Sequence, residues 1–272
     1  MNFHNAWLVF KKDWLEIKRN WQVLMPILIV PIVFSVIFPV IIGGIASAPT
    51  TGMDSNQDFQ ALIPNLPADV QSMLANFTAN QSMTYIMVVY FFAPFFLIIP
   101  VMASSVIGSD SFAGERERKT IEALLATPIS DSELLLGKIL VSFIPAMIIT
   151  FVSYSIYMAI VDIITYGTFG MLLLPNVNWL IMMFGVTPAI ALCSIGLTVM
   201  ISSKVKGFRE AQQISVVLLL PVLGLVFAQI SGFLVLGPLV LTALIGLLAA
   251  VDVAIFYMGV KIFKREEILA KQ

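Results

Sequence analysis

Three long stretches of this sequence contain almost no charge, and they decide what the chain can fold into. No charged residue occurs at 21–53 or 71–109, and at 211–260 the only one is Asp252. An apolar helix of about 20 residues crosses the roughly 30 Å hydrocarbon core of a bilayer. The 272 residues are 59% hydrophobic and only 11% charged, more apolar surface than one soluble core could bury. The sequence therefore predicts a membrane protein.

The same composition excludes several classes of protein. A net charge of −1 offers no basic field for a polyanion, which argues against a nucleic-acid partner. A single cysteine, Cys193, excludes a disulfide framework within the chain and any multi-cysteine metal site. A single histidine, His4, excludes a zinc site built on paired histidines. We therefore expect neither a soluble enzyme nor a metal centre.

Six spans account for the uncharged stretches. The apolar runs are continuous and do not alternate, which favours helices over a β-barrel. A break between the last two spans is expected near Ser231-Gly232 or Gly237-Pro238, because Gly and Pro favour turns. The predicted fold class is an all-α membrane protein, one transmembrane domain over residues 1–272, with spans at about 24–46, 83–107, 138–161, 177–201, 214–230 and 238–260.

The basic residues orient the predicted spans. All fifteen Lys and Arg residues fall before span 1, between spans 2 and 3, between spans 4 and 5, or after span 6. Basic residues accumulate on the cytoplasmic side of membrane proteins. The pattern predicts a multi-pass protein of the cell (plasma or inner) membrane with both termini in the cytoplasm.

The N-terminal segment carries an aromatic stripe at helical spacing. The stripe comprises Phe3, Trp7, Phe10, Trp14, Ile17, Trp21 and Leu24. Asp13 and Glu16 are expected to lie away from it. Because Trp favours the headgroup level, the stripe predicts an interfacial helix over residues 3–21 on the cytoplasmic leaflet. The alternative is a seam packed against another helix or in a coiled coil.

The external loop at 47–82 is the longest polar stretch predicted outside. Beyond Pro67, apolar residues repeat at helical spacing, which predicts a short amphipathic helix from near Ala68. That helix could lie on the outer leaflet or cap a vestibule between protomers.

The cytoplasmic loop at 109–133 carries the most specific pattern. Thr120 can cap a helix whose apolar face is Ile121, Leu124 and Leu125, and Pro128 ends it. Ser130 and Glu133 then form a capping box that begins span 3. A short amphipathic helix held at the membrane face suits docking into a groove of a cytosolic partner. The alternative is an ordinary solvated loop.

This loop resembles the signature of ABC-2 type transporter permeases. The residues that carry the resemblance are Glu115, Glu117, Thr120, Ile121, Glu122, Leu124, Leu125, Thr127 and Pro128, followed by Leu136-Gly137-Lys138. The six-span layout and the amphipathic N-terminal helix are also similar, so the resemblance covers the whole chain. One position departs from the pattern, because Lys119 stands where the family usually has Gly before the Thr.

The resemblance implies a mechanism. A permease of this type forms a homodimer or heterodimer around a central pathway, and two copies of a separate cytosolic ATPase drive it. The segment from Thr120 to Ala126 resembles the coupling helix that sits in a cleft of the ATPase. Members mostly export, and their substrates range from ions and drugs to peptides, lipids and polysaccharides. ATP and Mg²⁺ are expected in the ATPase, with no cofactor in this chain.

The chain has no P-loop of its own. That motif needs G-x-x-x-x-G-K-[ST], and the only Gly-Lys pair, Gly137-Lys138, has Ser132 and Ile139 at the flanking positions. We therefore expect no ATP hydrolysis by this chain.

Asp252 is the candidate pathway residue, because an ionisable group inside a span is costly and is a functional hypothesis by default. It could bind a cation, relay a proton or make a structural hydrogen bond. A secondary transporter that uses Asp252 for ion or proton coupling is the alternative function. Pro26, Pro31 and Pro39 in span 1 and Pro94 and Pro100 in span 2 predict kinks.

Overall fold

A computed structural model describes residues 3–46, 63–66, 68–120, 129–205, 207–231 and 234–262. These residues are almost entirely helical and contain no strand. Six helices are long and apolar enough to cross a membrane, which confirms the predicted number of spans. The helices are Phe3–Ile17 (the N-terminal helix), Trp21–Ile32, Val33–Ile37 and Phe38–Ala46 (span 1), Ala79–Glu117 (span 2), Asp131–Phe169 (span 3), Val177–Ser202 (span 4), Phe208–Ile230 (span 5) and Pro238–Ile262 (span 6).

The N-terminal helix and span 1 are separate helices. The first ends at Ile17, and Asn20 caps the second by accepting a hydrogen bond from the backbone N–H of Gln22. Trp21 therefore begins span 1. The predicted extension of the N-terminal helix to residue 21 is wrong, because that helix ends at Ile17. Within span 1 the backbone widens into a π-helical segment at Val33–Ile37, just before Phe38-Pro39. Pro39 has no N–H to offer the carbonyl of Ser35, four residues back, which explains an irregularity at this point.

Span 2 is interrupted in its middle. An α-helical start gives way to a π-helical turn at Met87–Phe91 and a 3₁₀ segment at Ala93–Leu97. The N–H of Phe92 bonds to Met87, five residues back, and Pro94 has no N–H to offer Tyr90. The α-helix is therefore interrupted around Pro94, where the sequence predicts a kink, and several backbone carbonyls in the apolar interior are freed.

Side chains from three other spans bond to these carbonyls. The hydroxyl of Tyr157 in span 3 donates to Val88 at 2.8 Å, and the indole N–H of Trp179 in span 4 donates to Val89 at 2.9 Å. The amide of Gln229 in span 5 donates to the carbonyl of Tyr90. A backbone carbonyl without a partner is costly where no water is available, so these bonds stabilise the interruption.

The core surrounds the same region. Tyr157 and Trp179 stack with ring centroids 4.9 Å apart, and the ring of Phe96 meets Tyr157 edge-on at 4.7 Å. All three side chains are fully buried. The junction of spans 2, 3 and 4 is therefore the centre of the core.

Two features close the end of the bundle that lies opposite the N-terminal helix. The predicted helix near Ala68 is confirmed at Ala68–Leu74, and its buried residues Val70 and Leu74 join the main core. Asp162 near the end of span 3 accepts hydrogen bonds from the backbone N–H groups of Leu173 and Leu174 at 2.9 and 3.1 Å. Asp162 thus holds the connection between spans 3 and 4 by accepting two of its backbone N–H groups.

We predict that Tyr157→Phe destabilises the protein while Tyr166→Phe does not. The first change leaves the buried Val88 carbonyl without its donor, at a cost of about 1–3 kcal/mol. Tyr166 is exposed, so the same loss of a hydroxyl has little effect there. Thermal loss of the monodisperse peak in size-exclusion chromatography measures both variants, and equal midpoints would contradict the prediction.

Candidate functional site

A fully buried lysine lies where the N-terminal helix, span 2 and span 3 meet. The side chain of Lys138 is 1% exposed, and its ammonium is 2.5 Å from Glu115 of span 2 and 3.5 Å from Asp13 of the N-terminal helix. It also donates to the carbonyl of Ser111, whose hydroxyl donates to Asp13 at 2.6 Å. We call Lys12, Asp13, Ser111, Glu115 and Lys138 the buried ion cluster.

Lys12 completes this cluster. Its ammonium bonds to Glu115 and lies 3.2 Å from Asp13 and 3.3 Å from Glu16. The two lysines and the two buried acids of the cluster balance in charge. Such balance is what allows ionised groups to remain in a region of low dielectric constant.

The electrostatics of the N-terminal helix favour the ionised state. Burial by itself would raise the pKa of Asp13, but Lys138, Lys12 and the hydrogen bond from Ser111 together lower it below its usual value. Burial likewise opposes the charge of Lys12, yet Asp13 and Glu115 raise its pKa. The helix is therefore joined to spans 2 and 3 by full charges.

A second ion group lies beside the cluster. Arg118 pairs with Asp110 at 3.0 Å and with Glu16 of the N-terminal helix at 3.5 Å, and Asn20 donates to Asp110 at 3.3 Å. Gly114 makes this fold-back possible, because a Cβ there would meet Asp110 Oδ1 at 2.8 Å and Arg118 Nη1 at 3.1 Å. The end of span 2 is thus joined again to the N-terminal segment.

The next residues of span 2 hold the connection between spans 4 and 5. Arg116 donates to the carbonyls of Ser203 and Val205 at 3.3 and 3.1 Å. The carboxylate of Glu117 accepts from the N–H of Phe208, the first residue of span 5, at 2.8 Å. The end of span 2 therefore contacts the connection between spans 4 and 5 as well as the N-terminal helix and span 3.

Span 2 stops in a Schellman motif at Lys119. The N–H of Thr120 bonds to Glu115 at 3.0 Å, the N–H of Lys119 bonds to Arg116 at 3.1 Å, and Lys119 has a φ of 57°. This left-handed conformation favours glycine. It occurs at the one position where the sequence departs from the glycine of the permease signature.

Both ends of the following loop are bonded to the N-terminal helix. At the start, Arg118 reaches Glu16. At the end, the predicted capping box of Ser130 and Glu133 is confirmed, and Asn5 donates to Glu133 at 3.1 Å. The residues between, which include Ile121, Glu122, Leu124, Leu125, Thr127 and Pro128, lie outside the described residues.

The N-terminal helix packs against span 3, but on a face rotated from the aromatic stripe by roughly 60° at 100° per residue. Its buried residues are Ala6, Val9, Phe10, Asp13 and Ile17. Asp13 therefore lies on the packed face, contrary to the expectation from the stripe. Gly137 permits the contact, because a Cβ there would meet the carbonyl of Ala6 at 2.7 Å.

The three tryptophans lie at the edge of that contact. Trp7 is 39% exposed and stacks on Phe10 at 4.6 Å, Trp14 lies under the ammonium of Lys18 at 5.0 Å, and Trp21 is exposed at the start of span 1. One face of the N-terminal helix thus packs against another helix, which was the alternative interpretation of the stripe. Headgroup contact of the tryptophans stays a prediction.

The comparison with known proteins assigns the chain to a family. The family model described as "ABC-2 family transporter protein" matches residues 7–245, from the N-terminal helix into span 6. The chain belongs to the ABC-2 transporter family. This permease is accordingly the transmembrane component of an ABC transporter, a multi-pass membrane protein. No curated protein sequence matches it.

The sequence pattern found part of the site. Glu115, Glu117 and Thr120 were singled out, and the structure brings them to one end of span 2. The sequence pattern did not indicate that Asp13, Asp110 and Lys138 would surround these residues. The available signal was the position of Asp13, only about 60° from Phe10 around the helix at 100° per residue. Asp252 lies apart from this group, against span 4.

We predict that Lys138→Met is strongly destabilising and that Lys11→Met is neutral. Removal of the buried ammonium leaves Glu115 and Asp13 to share Lys12, so one buried negative charge is uncompensated, which costs about 3–5 kcal/mol. Lys11 is exposed and serves as the matched control. Adding Glu115→Gln to Lys138→Met should recover part of the thermal midpoint. Lack of any recovery would contradict a direct pairing of the two charges.

We also predict that Lys119→Gly gives a more stable permease than Lys119→Ala. Both variants lose the same long side chain, but only glycine adopts the left-handed conformation without strain, a difference of about 1 kcal/mol. Thermal midpoints measured side by side test this. A higher midpoint for the alanine variant would show that φ at this position is not positive.

Proposed function

We propose that this permease forms the transmembrane pathway of an ATP-driven exporter as a dimer, coupled to two copies of a separate cytosolic ATPase. The observation that carries the proposal is the anchoring of the 118–130 loop. Arg118 at its start and Glu133 just after its end are both bonded to the N-terminal helix. A loop held at both ends on one rigid helix can transmit force and does not merely connect two spans.

The contacts of this loop define what it would move. Its start is continuous with span 2, its end is continuous with span 3, and the buried ion cluster joins both spans to the N-terminal helix. Arg116 and Glu117 extend the connection to spans 4 and 5. A push on the loop from an ATPase would therefore act on this assembly as a unit.

Glu115 and Glu117 take a positioning role in this proposal. Glu115 is 1% exposed and shares its carboxylate between Lys12 and Lys138, so it holds the loop and does not reach a partner. Glu117 holds the N–H of Phe208. Direct contact with the ATPase is assigned to the apolar residues Leu124 and Leu125 and their neighbours.

The outer spans support dimer formation. Span 2 is the most buried of the six, whereas spans 1, 5 and 6 expose large apolar side chains over most of their length. Such faces require lipid or a second copy of the chain. A second copy would enclose a pathway that one bundle, filled by its own core, does not provide.

We predict that Leu124→Asp with Leu125→Asp abolishes association with the ATPase while the permease stays folded. The paired Leu→Met substitutions are the matched control, because they keep the surface apolar. Co-purification with the tagged ATPase and the thermal midpoint of the permease are measured together. An intact complex with both aspartates would refute the coupling assignment, and a lost complex with both methionines would leave apolar contact unsupported as its cause.

A further inference from the structure

A largely apolar cavity of about 460 Å³ lies between spans 3, 4 and 6, apart from the buried ion cluster. Its volume is in the range of sites that hold small organic molecules. Its walls include Leu135 and Ile139 of span 3, Ile195 and Val199 of span 4, and Val253 and Phe256 of span 6.

Among the described residues that line this cavity, Asp252 is the only one with an acidic or basic side chain. Its Oδ1 atom is buried and has no hydrogen-bond partner among the described residues. An acid at this depth is costly unless a cation or a donor satisfies it. The described wall residues supply no basic group, so a cationic ligand is the partner that would satisfy this carboxylate.

The cavity is open to the side of the bundle. Its rim includes Leu192, Val253 and Phe256, which are 42%, 56% and 60% exposed. Asp252 lies fourteen residues after Pro238, or about 21 Å along span 6 at 1.5 Å per residue, in the half of the bundle nearer the ion cluster, since the cavity walls Leu135 and Ile139 flank Lys138 in span 3. A ligand can therefore enter from the lipid phase, without passing through a pathway between two copies.

We propose that this cavity binds hydrophobic organic monocations from the bilayer, with Asp252 as the counter-ion. The apolar walls take the body of the cation and the single carboxylate takes its charge. A hydrophilic cation would lose its hydration against apolar walls that cannot replace it, and an anion would be repelled by the Asp252 carboxylate. The proposal rests on the placement of the permease in a membrane, but it needs neither the ATPase nor a dimer.

Tetraphenylphosphonium and tetraphenylborate test the proposal, because they have the same shape and opposite charge. Equilibrium binding of each ion is measured on the full-length permease in lipid nanodiscs. We expect saturable binding of tetraphenylphosphonium, with tetraphenylborate at least tenfold weaker. Asp252→Asn, which keeps the shape of the side chain, should weaken tetraphenylphosphonium at least tenfold. Asp162→Asn is the matched control and should leave binding unchanged.

Two further variants keep the test decisive if Asp252→Asn does not fold. Asp252→Glu keeps the charge and should bind within a few-fold of the unmodified protein. Val199→Phe keeps Asp252 but fills the cavity and should weaken binding at least tenfold. Equal binding of the two ions, or unchanged binding in Asp252→Asn or Val199→Phe, would overturn the proposal. None of these outcomes depends on association with an ATPase.

Discussion

The charge of Lys138 is the constraint on which one end of this bundle depends, the end that carries the N-terminal helix and the loop between spans 2 and 3. An ammonium that is 1% exposed must be neutralised, and the acids that do so come from two different helices. Asp13 holds the N-terminal helix against span 3, and Glu115 holds the end of span 2 beside it. The Gly-Lys pair that would belong to a P-loop in a nucleotide-binding protein has a structural role here, since Gly137 admits the N-terminal helix and Lys138 joins it by charge.

In the middle of span 2, buried polar groups also need partners, but here the groups are uncharged. Its interruption places backbone carbonyls where water is absent, and Tyr157, Trp179 and Gln229 donate to three of them in succession. Polar groups in the low-dielectric interior thus fix the helices at two levels. Between those levels most contacts are apolar, with the hydroxyl of Ser194 donating to the Val101 carbonyl at 3.1 Å and the hydroxyls of Tyr154 and Thr187 3.3 Å apart.

The sequence predicted the six spans because lack of charge over about 20 residues is a local signal that needs no knowledge of neighbours. Pro94 and the Ser130–Glu133 box were readable for the same reason. The ion pair of Asp13 and Lys138 joins residues 125 positions apart, and the acceptors of Tyr157 and Trp179 are backbone atoms, which carry no sequence signature. The aromatic stripe was misleading about Asp13 because hydrophobicity locates an apolar face but not a buried charge beside it.

The distribution of polar contacts indicates which parts can move relative to each other. The N-terminal helix, the end of span 2 and the start of span 3 are joined by several full charges, so separating them would expose or strand buried ions. Span 5 is held at its start by Glu117 and near its end by Gln229, with an apolar contact between. Exchanging such apolar contacts for others, or for lipid, costs far less than breaking the ion cluster. If the cycle is driven from the loop, as proposed above, the charged assembly moves as one body, span 5 follows it at its two bonded ends, and span 6 repacks against it.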